Sequence, residues 1–359
     1  MKLLQLSHER ETYEVVLQHS LLFECALGLA AATYHEIHPS LEKDTSYWAN
    51  ARHSLSLDMQ VQLDYLERNN TWKTLLQLLH ADDFADLESF LGFIRSLSDI
   101  ELLYHSYPYV GKKQEALRKK AASGDADAID QLVERCRDHK FFPAYLRFLQ
   151  QVDPGELRAH LLAVMEGWYQ THVLPEQEEL AVILARDLAA KKHMQQRLAS
   201  EQFVEWATGG IRYVPEPSVT RVVLIPHVTY RPWNIQSDCV GTKIFYYPVA
   251  DDSLTETPDL YAPPLRLTGA YKALGDEHRL RLVKHLYHRD YTLQELTEKL
   301  SLAKSTVHHH LMLLRSARLV TTEGTAYRLE KQALEFLAND LFAFLQKEQS
   351  EDPDDDANA

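Results

Sequence analysis

The chain is short of cysteine, of long apolar runs and, taken whole, of positive charge. Three cysteines in 359 residues, Cys25, Cys136 and Cys239, lie roughly a hundred residues apart. An odd number at that spacing excludes a closed disulfide framework and a zinc-ligand pattern, and fits buried or half-buried thiols in a reducing compartment. The most apolar stretch, Leu21 to Thr33, is interrupted by Glu24 and falls short of the ~20 residues that cross a bilayer. MKLLQLSHERE reaches acidic residues without an apolar core, so no signal peptide is expected. A cytoplasmic protein without membrane contact is expected. Glycine (12) and proline (14) are too scarce for a collagen-like chain, while 45% hydrophobic and 25% charged residues are ordinary for globular domains. Lys and Arg number 38 against 52 Asp and Glu, a net −14. Such a field, averaged over the whole chain, repels nucleic acid and anionic membranes.

The motifs of common enzymes are also missing. There is no G-x-x-x-x-G-K-S/T, G-x-G-x-x-G, H-E-x-x-H or G-x-S-x-G. His35-Glu36-Ile37-His38 sets its histidines three apart, which is wrong for the helical zinc site it superficially suggests. Neither catalysis nor a cofactor is expected.

What is present is mostly helix. LLFECALGLAAATY from Leu21, ELRAHLLAVMEGWY from Glu156 and the long segment Glu179–Ala207 repeat apolar residues at three and four spacing. Asp153-Pro154 supplies an N-cap and a proline at N1, Pro175 is followed by acidic first-turn residues, and Gly209-Gly210 is a stop. Short β-branched or aromatic runs follow at Ile211–Val214, Arg221–Pro226 and Lys243–Val249, reading as a small antiparallel sheet. The aromatics of HVTYRPW (Tyr230, Trp233), with Tyr246 and Tyr247, read as packing between sheet and helices in preference to an effector pocket. The expected organisation is mainly α, or α+β. A helical region with a small sheet occupies 1–250 as an effector or scaffold domain, and 251–264 is a polar linker. A compact domain spans 265–347, and 348–359 is an acidic, disordered tail.

Residues 265–347 carry the most specific pattern. Thr292-Leu293-Gln294-Glu295 is a capping box opening a helix through Leu300. After the connection Ser301-Leu302-Ala303, the run KSTVHHHLMLLRSARLV opens a second helix, with Val307, Leu311 and Leu314 on the face that packs inward. Ser305, Thr306, His308, His309, Met312 and Arg315 take the other face. Small hydroxyls and planar donors at a helix N-terminus suit base edges and phosphates. Two extended runs, Leu319–Thr322 and Tyr327–Leu329, flank Glu323-Gly324-Thr325 and read as a hairpin.

In order, ALGDEHRLRLVKHLY, TLQELTEKL, AKSTVHHHLMLLRSARLV and GTAYRL resemble the winged helix–turn–helix of ArsR-type bacterial transcriptional regulators, over about a quarter of the chain. The resemblance implies a homodimer that binds double-stranded operator DNA, with the first and last helices of the domain at the dimer interface. It places Ser305, Thr306, His308 and His309 at the DNA and Arg328 on the wing; Lys304, Arg315 and Thr325 are expected to join them at the DNA. On the last helix Leu337, Leu341, Phe344 and Leu345 would form the dimer seam. His310 matches a histidine common in the family. Two departures stand out. Ala303 replaces the usual capping serine, and TLQELTEKL and the last helix lack the Cys or His that metal-sensing members use. Metal sensing is therefore not expected. The His308-His309-His310 triplet does not converge on one ion, because adjacent helical residues point about a hundred degrees apart.

The expected function is a transcriptional regulator, a repressor of this type, whose N-terminal region senses a non-metal effector or a partner. The other class the residues allow is a helical ligand- or protein-binding module whose winged helix touches protein. Charge favours DNA: between Arg266 and Arg328, 11 basic residues face 6 acidic ones, a local +5 that leaves −19 for the rest.

Overall fold

The computed structural model describes residues 12–255 and 261–345. The tail 348–359 and the opening MKLLQLSHERE lie outside them. The chain divides into two compact units, Met1–Ser253 and Leu254–Ala359. It is mainly α with two small sheets, as the pattern implied.

The first unit is built around a helix with no polar face. Every residue from Leu22 to Thr33 is buried in Leu21–Thr33, so this helix is central and the helices that follow wrap it. Its Gly28 is where the Trp168 ring comes close: a Cβ there would stand 2.5 Å from the indole nitrogen.

The sheet departs from expectation. Its strands β1 (Glu14–Leu17), β2 (Arg221–His227), β3 (Ile235–Cys239) and β4 (Thr242–Pro248) lie in the order β1-β2-β4-β3. β1 pairs with β2 and β2 with β4 in parallel; β3 alone is antiparallel. The expected antiparallel sheet is therefore corrected to a mixed one, and Ile211–Val214 is not a strand. The physical reason is burial on both faces. Val223, Ile225, Ile244 and Tyr246 enter the large helical core, while Val222, Leu224, Phe245 and Tyr247 enter a second core with Tyr13, Phe203 and Val204. A sheet covered on both sides reads as continuous apolar runs. The segment expected as one helix over 179–207 is two, Gln177–Gln195 and Ser200–Ala207, and the second covers that other face.

The second unit runs Leu265–Leu274, Glu277–His288, β5 (Tyr291–Thr292), Leu293–Leu300, Lys304–Ser316, β6 (Val320–Glu323), β7 (Ala326–Leu329) and Lys331–Leu345. β7 is central in the order β5-β7-β6, antiparallel to both neighbours. Leu282, Leu286, Leu296, Val307, Leu311, Leu314 and Tyr327 share its core.

Candidate nucleic-acid interface

The two helices of the helix–turn–helix are held by local chemistry. Thr292 Oγ1 accepts the Glu295 N–H at 3.3 Å, and Glu295 Oε2 accepts the Thr292 N–H at 2.8 Å, which completes the capping box. The backbone N–H and the Arg289 guanidinium hold the Glu295 carboxyl down to about 2. Ser301 turns the chain at φ +54, a left-handed conformation tolerated at helix ends. Lys304–Ser316 then begins at Ala303, with no side-chain hydrogen bond at its cap. Its first-turn N–H groups are thus left without a side-chain acceptor at the positive end of the helix.

Val307, Leu311 and Leu314 are fully buried, as the spacing required. Lys304, Ser305, Thr306, His308 and His309 are exposed, and the helix contains no carboxylate. Among the described residues Lys304 has no ion-pair partner. Arg315 is half-buried beside Met312. His310 faces inward: it is 9% exposed, its Nδ1 lies 3.8 Å from Asp276 Oδ1, and its ring stands 5.7 Å from that of His278. Burial lowers its pKa. Asp276 itself caps Glu277–His288, accepting the Arg279 N–H at 3.0 Å.

The wing is the β6–β7 hairpin, turning at Gly324 with φ +60, where a side chain would be strained. Thr325 is exposed. Arg328 is not a free cation: its Nε and Nη2 both donate to Asp290 Oδ2, at 3.0 and 2.7 Å, tying β7 to the start of β5. Arg289, which the spacing did not single out, lies over the Tyr291 ring at 3.7 Å and pairs with Glu295.

Of the residues expected at a dimer seam, Leu337 is buried against Leu267 and Ala270 of the same unit, with Leu341 and Phe344 half-buried beside it. Leu345 and Phe342 are exposed at 66% and 59%. The terminal helices of the unit thus pair within one chain and leave an apolar residue pair outside.

The first unit holds a cavity of about 430 Å³ between the sheet and the helices. Gln77, His80, Tyr104, His105, Tyr109 and Cys239 are among its walls. His80 Nε2 meets Tyr246 Oη at 2.5 Å, and burial brings its pKa down to about 4. Burial also lifts the Cys239 thiol to about 11, so it stays protonated. The HVTYRPW aromatics line none of this cavity. Arg231 is buried, donates through Nε to Glu42 at 2.7 Å and also bonds the Val249 carbonyl and Asp251, while Trp233 Nε1 donates to Ser40 Oγ at 2.9 Å. Among the described residues no group of three or more His, Cys, Asp or Glu is placed to hold a metal ion, and no helix is long and apolar enough to cross a membrane.

Two helices joined by a tight turn, followed by the β6–β7 hairpin, define the second unit as a winged helix–turn–helix. Residues 276–322 match the model of the family described as bacterial regulatory protein, arsR family, so this unit carries an arsR-type regulator domain. The first unit lies outside the matched span. No curated protein and no solved structure matches the chain significantly.

Proposed function

We propose that the protein is a repressor that binds double-stranded operator DNA as a homodimer, with a non-metal effector or a partner sensed by the first unit. Two copies of Lys304–Ser316 would enter successive major grooves. Lys304, Ser305, Thr306, His308 and His309 would meet bases and phosphates, Arg315 would flank them, and Thr325 would touch backbone. Arg328, already neutralised by Asp290, would orient the wing more than bind phosphate. The observation that carries this reading is the uncapped N-terminus of Lys304–Ser316, carboxylate-free and bearing Lys304, which has no ion-pair partner among the described residues. Phosphates bind where free N–H groups and a cation converge.

A dimer would cover Phe342 and Leu345, the exposed apolar pair of the last helix. An effector would enter the 430 Å³ cavity, which lies within the range of small-molecule sites, and would shift the population of binding-competent dimers. Footprinting of the full chain on the promoter of its own gene and its neighbours tests the proposal. A protected palindromic site whose affinity falls with salt is expected. Absence of sequence-dependent protection at low salt overturns it.

A further inference from the structure

The cavity of the first unit has a floor with two unlike ends. Period-two alternation puts Arg221 and Val223 of β2 on one face, and Thr242 and Ile244 of β4 and Cys239 of β3 lie beside them in register. Two guanidinium groups stand at the Arg221 end. Arg221 is exposed and has no ion-pair partner among the described residues. Arg118 is 7% exposed; its Nε donates to the Tyr107 carbonyl at 2.8 Å, Nη2 to the Tyr104 carbonyl at 3.0 Å and Nη1 to Glu115 at 3.2 Å. A guanidinium has five N–H groups, so donors remain, and its charge bears on the nearby Cys239 thiol. The other end is acidic. Asp82 and Asp83 line it, exposed and without a cationic partner among the described residues. Asp83 Oδ1 accepts from Gln18 Nε2 at 3.0 Å, and the Gln18 N–H donates to the Leu224 carbonyl at 3.1 Å. The strand from Arg221 to Leu224 therefore separates the two ends by roughly 10 Å.

A simple anion meets the two carboxylates, and a simple cation meets the two guanidinium groups. A molecule with one charge at each end satisfies both. A free amino acid holds its charges on neighbouring atoms and reaches one end only. An extended peptide spans about 3.3–3.6 Å per residue, so two or three residues match the floor. Between the ends the His105 ring, the Tyr109 hydroxyl and the Cys239 thiol line the cavity with no hydrogen-bond partner among the described residues. Peptide amides supply partners for them, and Val223 and Ile244 offer side chains an apolar floor. We propose that this cavity binds peptides of two or three residues through their free termini, the amine at Asp82 and Asp83 and the carboxylate at Arg118 and Arg221. As an effector class, this rests on the reading of the cavity given above.

The test is calorimetric titration of the full chain with leucine, alanyl-leucine, dialanyl-leucine and tetraalanyl-leucine. Affinity should peak at two or three residues. N-acetyl-alanyl-leucine and alanyl-leucine amide, each lacking one charge, should bind about tenfold more weakly than alanyl-leucine. 8-Aminooctanoic acid, with both charges on an apolar spacer, should also bind more weakly. Arg221→Gln should weaken alanyl-leucine by a similar factor and leave its amide unchanged. The pair Asp82→Asn and Asp83→Asn should do the same for the free amine and spare the N-acetyl form. All three positions are exposed, so these variants keep the fold. No binding at millimolar peptide, blocked forms or 8-aminooctanoic acid as tight as alanyl-leucine, or variants that weaken free and blocked peptides alike would each overturn the proposal. None of these measurements involves DNA, so their failure leaves operator binding standing. A peptide that binds and leaves operator affinity unaltered instead overturns the effector reading and keeps the site.

Discussion

The two units use their polar groups in opposite ways. In the first, several charged and polar side chains are taken inside and hydrogen-bonded there. Asp187 is fully buried and accepts from Tyr247 Oη at 2.9 Å, the Ala250 N–H at 2.8 Å and Ser253 Oγ at 3.1 Å. Glu24, 1% exposed, accepts the Thr229 N–H at 3.0 Å and also that of Val228. In the second unit Lys304, Ser305, Thr306, His308 and His309 of Lys304–Ser316 are held outward. Polar groups satisfied internally rigidify a body, whereas those left open are what a partner recognises. The net charge of −14 hides this division because it counts residues without regard to where they are spent.

The largest effect expected on this comparison is Arg231→Leu. Removing the buried guanidinium takes one donor from each of Glu42, Asp251 and the Val249 carbonyl, at about 3–5 kcal/mol. Thermal or urea unfolding of the full chain should show one unit destabilised by that amount while the other keeps its midpoint. A shared loss in both units would break the contrast drawn above.

Acid should separate the units next. His80 and His160 both sit near pKa 4 through burial. His160 is held by Thr71 Oγ1 at 2.7 Å and Gln62 Oε1 at 2.6 Å, one ring nitrogen accepting and the other donating. An unfolded histidine takes up its proton near 6.5, so below that pH the unfolded state binds more protons and stability falls until about pH 4. At pH 5 the loss is about 2 kcal/mol for each histidine. The first unit should therefore melt earlier at pH 5 than at pH 7, and His160→Gln should remove about 2 kcal/mol of the difference. A pH-independent midpoint contradicts the assignment. Gly28→Ala belongs at a similar or smaller scale, about 1–3 kcal/mol, because the buried Trp168 ring has little room to retreat. Differential scanning calorimetry reads it directly.

The second unit was largely legible in the sequence because its signals are local. A capping box, a glycine turn and an i, i+4, i+7 stripe each act within a few residues, and Val307, Leu311 and Leu314 lie where that spacing puts them. The partner of Arg328 was not legible, since Asp290 is distant in sequence and no local rule joins them. The pairing of the sheet is hidden from the sequence for the same reason. β1 pairs with β2 across some two hundred residues, and Glu14–Leu17 is too short to announce itself. The available clue was the unbroken apolar VVLI in β2, the mark of a strand covered on both faces. The cavity combines residues from 18 to 244, and nothing in their spacing brings them together.

The smallest effect expected is Thr292→Ala, and it tests whether local legibility has a local energetic meaning. The substitution deletes the acceptor for the Glu295 N–H and strips one hydrogen bond from the Glu295 carboxylate, which keeps Arg289 and the Thr292 backbone N–H. Loss of such a cap costs about 1 kcal/mol. Thr292 also stands in β5, opposite Ala326 of the wing, but through its backbone, which alanine preserves. The second unit should lose about 1 kcal/mol in urea unfolding, with operator affinity measured well below the transition nearly unchanged. Loss of affinity under those conditions would mean that the first helix of the pair sets the pose of Lys304–Ser316, and that the outward-facing side chains are as dependent on their supports as the buried groups of the first unit.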